Sequence, residues 1–308
     1  MLFQTMINQT LIIFLMLIIG IAASKLKFLT KKISDNIGTV LVNICLPCSV
    51  ISAAKVDEIL SAGFNVALVL IITAAYYIFG IVSTNILSKP LKLQDKRKAI
   101  FVNNCVFANT SFLGIPICQT LFGNTGAFYA SIANLLYYIF MWTYGIMAYS
   151  GSKKFNLKEL AKVPAAIACV ILILLIVFKI SLPKVVIETC EIFGRANLPL
   201  SMLIISYSMS QTKIKELFND KTMYLISFIR LIVFPLLVLF ITRMLNIDRT
   251  VALVCTVLCG CPSASMNVVL STKYNCDGEY SAKSVVQTMM LFIITMPIVI
   301  FVSELLYS

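Results

Sequence analysis

Apolar residues in this chain come in long runs, and basic residues cluster in the short gaps between them. A helix rises 1.5 Å per residue, so roughly 20 apolar residues are needed to cross a bilayer core. By that measure the runs predict helices at about 5 to 24, 33 to 54, 63 to 87, 98 to 120, 125 to 148, 162 to 181, 184 to 210, 222 to 244, 249 to 272 and 281 to 305. Ten spans joined by short loops leave no room for a soluble domain. The pattern predicts an all-α membrane protein that forms one integral unit.

Composition narrows the class further. Sixty per cent of the residues are apolar and only 12% are charged, whereas a soluble domain carries roughly 25% charged residues. The net charge of +12 raises nucleic acid as a partner. The charge sits in short loops, however, and no basic helix with interleaved aromatics occurs. The expected surroundings are the lipid bilayer, with no nucleic acid.

Orientation follows from where the charge lies. One set of loops holds Lys25 to Lys32, Lys89 to Lys98, Lys153 to Lys162, Lys213 to Lys221, and Lys273 with Lys283. The alternate set holds only Lys55, Lys179, Lys184, Arg243 and Arg249. Eighteen basic residues against five put the richer loops in the cytoplasm and both termini outside it. Ala22-Ala23-Ser24 looks like the end of a secretory signal, but Lys follows the run and no Lys or Arg precedes it. The run is therefore read as a retained first helix. The expected location is the inner or plasma membrane, as a multi-pass protein.

The chain also resembles itself at about half its length. Cys45-Leu46-Pro47-Cys48-Ser49 returns as Asn197-Leu198-Pro199-Leu200-Ser201, and the polar, proline-bearing stretch Asn109 to Pro116 has a counterpart in Pro262 to Asn267. Each half, 1–150 and 151–308, holds five expected helices. An odd number reverses the polarity of the second half, so the predicted architecture is two inverted five-helix repeats with interrupted crossing helices four and nine.

Those interruptions carry the candidate chemistry. Asn109, Thr110, Ser111 and Gly114 in one helix, and Pro262, Ser263, Ser265 and Asn267 in the other, are unusual company for lipid. Backbone groups freed at membrane depth need side chains, water or a ligand. Two half-helix N-termini beside amides and hydroxyls suit an anion. Small and proline residues also serve simply to kink and pack helices. Asn43, Pro47 and Pro199 are read as a hinge or a pocket wall. Arg195 and Arg230 are the basic residues placed inside spans, where charge marks function. Arg195 corresponds to Asn43 at the repeat spacing and is taken as a substrate contact, with Glu191 one turn before it as a neutralising alternative. Arg230 is either a second contact or a side chain that snorkels toward the cytoplasm.

No His occurs in the chain, and no metal or cofactor is expected. A sodium site built from carbonyls and hydroxyls at the broken helices stays open. Cys45 with Cys48 and Cys259 with Cys261 raise a membrane thiol oxidoreductase, but most of the 10 cysteines lie in apolar helices, where Cys behaves as a small hydrophobe.

Leu46-Pro47, Asn109-Thr110, Gly114-Ile115-Pro116, Leu121-Phe122-Gly123, Leu198-Pro199-Leu200, Cys261-Pro262-Ser263-Ala264 and Lys273-Tyr274 resemble, in order and spacing, the auxin efflux carrier family in its bacterial branch. The resemblance covers essentially the whole chain. It implies a carrier, not an enzyme, of elevator type, with a scaffold and a transport bundle and with substrate bound where helices four and nine cross. It implies a small organic anion as substrate, malate-like or malonate-like, or an auxin-like acid. Two features depart from the plant relatives. Ala108 stands where they have proline, and the long central loop is absent. A sodium-coupled bile-acid-type symporter and a ligand sensor are the other readings, and a homodimer is left open.

Overall fold

The computed structural model describes residues 2–52, 63–151, 164–211, 217 and 219–307. Among them the chain is helical, and the only extended pairing is an isolated antiparallel bridge, Ala108 with Ser263. The helices are α1 (Leu2–Lys25), α2 (Lys31–Ser52), α3 (Gly63–Ser88), α4 (Asp95–Val106), α5 (Ile115–Phe140), α6 (Ile146–Ser150), α7 (Pro164–Val177), α8 (Lys184–Arg195), α9 (Asn197–Gln211), α10 (Lys221–Met244), α11 (Arg249–Gly260), α12 (Met266–Lys273) and α13 (Gly278–Leu306).

Five of these, α1, α2, α3, α10 and α13, are long and apolar enough to cross a membrane by length and composition. The other expected spans differ for identifiable reasons. The fourth and ninth are broken, the latter into α11 and α12. The fourth and fifth run together, separated inside α5 by Gly123 at φ 65 and ψ −153. This backbone conformation is open to glycine and strained for residues with a Cβ. The seventh divides at Ala196 into α8 and α9. The sixth is described only from Pro164 to Val177, and its expected start at 162, like the expected end of the second at 54, lies outside the described residues.

Proline shapes three helices in the same way. Pro47, Pro116 and Pro235 each stand two residues after a π turn, at Leu41–Cys45, Thr110–Gly114 and Ile229–Val233. A proline ring in a helix collides with the carbonyl four residues back. Here the preceding turn widens, with Leu46, Ile115 and Phe234 N–H donating five residues back to Leu41, Thr110 and Ile229 O.

The helices pack in two groups. α2 lies against α7, α8 and α9, and α9 also packs along α1. The second group joins α3, α4, α5, α10, α11, α12 and α13, with α1 touching it along α13. Small residues set the close approaches within the first group. A Cβ on Gly20 would lie 2.4 Å from Ser206 Oγ, and one on Gly194 would lie 3.0 Å from Ser49 Cα. Without water to expel, such tight backbone contact is a main source of helix association in lipid.

Candidate functional site: a crossing of broken helices

α4 ends at Val106 and α11 ends at Gly260; the chain then runs extended before each partner helix starts. Both breaks lie in the second group, and they cross each other. Asn109 N–H donates to Pro262 O at 2.8 Å and Ala264 N–H donates to Phe107 O at 3.0 Å, so each break satisfies the other's backbone. Side chains complete the seal. Ser263 Oγ donates to Asn104 O at 2.7 Å, and Ser263 N–H donates to Thr288 Oγ1 at 3.1 Å. Asn267 Nδ2 reaches Asn103 O and Phe107 O at 3.2 and 3.3 Å. Pairing of this kind is what makes unwound backbone tolerable at depth.

Carbonyls at the ends of both broken helices converge on Arg230, which is 0% exposed. Its Nη1 donates to Cys105 O at 2.9 Å and Val106 O at 2.8 Å, at the end of α4. Its Nη2 donates to Leu258 O at 3.3 Å and Cys259 O at 2.7 Å, at the end of α11, and Nε donates to Cys261 O at 2.8 Å. Tyr76 Oη also accepts from Arg230 and itself donates to Val106 O at 2.7 Å. A guanidinium has five N–H donors in a fixed fork, and here the whole fork caps two helix C-termini at once. Of the two roles expected from sequence for Arg230, neither snorkelling nor substrate contact fits this burial.

On the other side of the crossing, Thr110 Oγ1 donates to Asn134 Oδ1 at 2.7 Å, while Ser111 Oγ lies 2.9 Å from Asn134 Nδ2 and 3.2 Å from Tyr138 Oη. Asn104 keeps both amide atoms, and Asn267 its Oδ1, without hydrogen-bond partners among the described residues. The crossing thus holds buried polar capacity that its own side chains do not use.

One turn beyond Ser111, a cavity of about 210 Å³ opens between the two helix groups. Gln9, Ser49 and Ser52 wall it from the first group, Pro116, Gln119, Thr120, Asn124 and Ser131 from the second. Among the described residues its charged lining is Glu191 and Arg195, 3.6 Å apart. This is a loose pair compared with the roughly 2.7–2.9 Å of a charge-assisted hydrogen bond.

The sequence-expected residues therefore separate. Asn109, Thr110, Ser111, Pro262, Ser263 and Asn267 meet at the crossing. Gly114 packs there against α11, where a Cβ would come 2.6 Å from Leu258 Cδ2. Ser265 occupies the N-cap position of α12 without a side-chain capping bond. Arg195 is not at the crossing but on the opposite wall of the cavity. Asn43 is exposed and its Nδ2 donates to Thr39 O at 2.7 Å. Pro199 is exposed, Pro47 is half-buried, and neither lines the cavity, although Ser49, Ser52, Gly194 and Leu198 beside them do. Tyr76, Asn134, Tyr138 and Thr288 were not singled out from sequence; a polar residue in a span, spaced one or two turns from its neighbours, was the available signal for Asn134. Among the described residues no three His, Cys, Asp or Glu side chains gather as metal ligands, and Cys45, Cys48, Cys105, Cys118, Cys190, Cys255, Cys259, Cys261 and Cys276 are free.

A family model described as membrane transport protein matches residues 5–158 and 151–300. An uncharacterized transporter of Methanocaldococcus jannaschii is 24% identical over 292 residues, covering 90% of this chain and 92% of that protein. With the model spanning nearly the full length, the chain belongs to the membrane transport protein family, that of the auxin efflux carriers.

Proposed function

We propose that this transporter is a secondary carrier of a small organic anion, and that it works by sliding the crossing-bearing helix group past the other. The observation that carries the reading is the cavity between the groups, with the first turns of α5 on one wall and Arg195 on the other. Its volume of about 210 Å³ is below the roughly 300–1,000 Å³ of drug-sized sites. That size disfavours a bile acid, and the polar lining of Gln9, Ser49, Gln119, Asn124 and Arg195 suits a malonate-like or malate-like dicarboxylate better than the indole ring of indole acetate. The guanidinium of Arg195 suits one carboxylate, and the helix starts at the crossing suit negative charge. In this reading the chain crosses the membrane ten times as two inverted five-helix halves, with both termini outside the cytoplasm.

The test is uptake into proteoliposomes of radiolabelled malate, malonate and indole acetate under imposed sodium, proton and voltage gradients. Flux of the two dicarboxylates above indole acetate is expected. No flux of any carboxylate under any gradient would refute the anion-carrier reading.

A further inference from the structure

Two helices that break and cross bring four ends together. Each C-terminal end carries roughly half a negative charge and each N-terminal end roughly half a positive one. Here α4 and α11 contribute the negative ends, and α5 and α12 the positive ones. Taken alone, the crossing is electrically balanced, and its N-termini give no net preference for an anion. Arg230 changes the sum. Its one positive charge lies on the two negative ends, through Cys105, Val106, Leu258 and Cys259 O. Among the described residues no carboxylate pairs with it: its partners are backbone carbonyls and the Tyr76 hydroxyl. Once the negative ends are cancelled, the positive ends remain, and the crossing carries about one net positive charge in a low-dielectric interior.

We infer that Arg230, a positioning residue that caps α4 and α11, also sets the sign of charge the carrier accepts. The inference rests on the anion-carrier reading and goes beyond it. Arg195 contacts the anion from the facing wall, while Arg230 makes the moving group attractive to anions without touching them. Arg230 and Thr110 line one water-sized cavity of about 10 Å³, so the charge lies directly behind the start of the π turn leading into α5. A charge with that little water around it is weakly screened.

The experiment is malonate uptake by the reconstituted full-length protein, with KM and Vmax read separately, and with unlabelled malonate compared as inhibitor against its neutral diamide. Arg230→Lys keeps the charge with fewer donors. Arg230→Gln removes it. Cys259→Asp sets a carboxylate near the guanidinium, since both residues line the small cavity, and keeps Arg230 itself. Arg230→Lys should hold the malonate KM within about threefold. Arg230→Gln and Cys259→Asp should each raise it about tenfold or more with a smaller change in Vmax, and should erode the preference for malonate over the diamide, as expected for loss of a unit charge at short range. Size-exclusion profiles identify which variants fold. A folded Arg230→Gln or Cys259→Asp protein with unchanged KM overturns the inference, and so does failure of both to fold, which would make Arg230 a structural cap alone. Absence of malonate flux in the wild-type protein refutes the carrier reading and this inference with it, a result visible before any substitution is made.

Discussion

Two pairs of helix stretches carry the same sequence signature, proline beside polar residues, yet fold differently. In one pair the helices stop, run extended and cross. In the other, α2 only widens by a π turn before Pro47, and the α8 to α9 passage slips at Ala196 while staying in right-handed helical geometry. The difference lies in what is available to receive freed backbone groups. The crossing has a partner break, Ser263, Asn267, Thr288 and the fork of Arg230. Between α2 and α9 the corresponding link is a 3.4 Å bond from Asn197 Nδ2 to Cys45 O. An orphaned buried backbone group costs about 1–3 kcal/mol, so helices open fully only where several partners are already in place. Proline marks where a helix can be interrupted, and its neighbours decide how far.

The sharpest way to break this comparison is to force the crossing apart. Gly114→Val is expected to abolish malonate uptake, because its Cβ would meet Leu258 Cδ2 at 2.6 Å; Gly38→Ala, where the nearest side-chain atom is 3.8 Å away, should transport normally. Next in size, Asn109→Ala and Ser263→Ala should each lower uptake about tenfold while insertion, read by membrane yield, is kept. Loss of the Ser263 Oγ bond leaves Asn104 O without that donor, at about 1–3 kcal/mol. Pro47→Ala and Pro199→Ala should stay within about threefold of wild type in the same assay, and the reverse ranking would end the distinction drawn here. Arg195→Gln should raise the malonate KM about fivefold, with Arg195→Lys in between, because only a guanidinium grips a carboxylate with two prongs.

The smallest effect concerns stability. Asp220, in the turn before α10, is paired with Arg97 at the start of α4. Burial pushes its carboxyl up, but the Thr222 hydrogen bonds and the Arg97 charge outweigh that and hold it below the ordinary carboxylate range. A depressed carboxyl stabilises above its unfolded value of about 3.9 and loses that contribution as pH falls through the folded one. Thermal unfolding should therefore show a larger drop between about pH 6 and about pH 3 in the wild type than in Asp220→Asn. The difference should be modest, because both side chains are partly exposed.

Much of this was legible in the chain itself. The helical segments follow the apolar runs, and the two interruptions lie where Asn109 and Pro262 mark them, because polar groups at that depth need a reason. Arg230 shows where such reading stops. A lone Arg in a span looks like a snorkelling side chain, since its real partners are backbone carbonyls, which no side-chain pattern displays. Asn134 was missed for a related reason: its partners, Thr110 and Ser111, lie 24 and 23 residues back along the chain, beyond the Gly123 kink. Arg195 was picked out, but its site on the opposite wall depends on how the two helix groups face each other, which no local spacing encodes.

The widened turns before Pro47, Pro116 and Pro235 have a consequence for how these helices can change. Each carries one residue more than an α-helical path requires, and one residue turns a helix by about 100°. The side chains beyond each proline therefore face a different way from the stripe that precedes it. Deleting a single residue within Leu41–Cys45 would rotate Ser49 and Ser52 off the cavity wall and press the Pro47 ring against the carbonyl behind it. The extra residue and the proline behave as one inheritable unit, tolerable together and damaging apart.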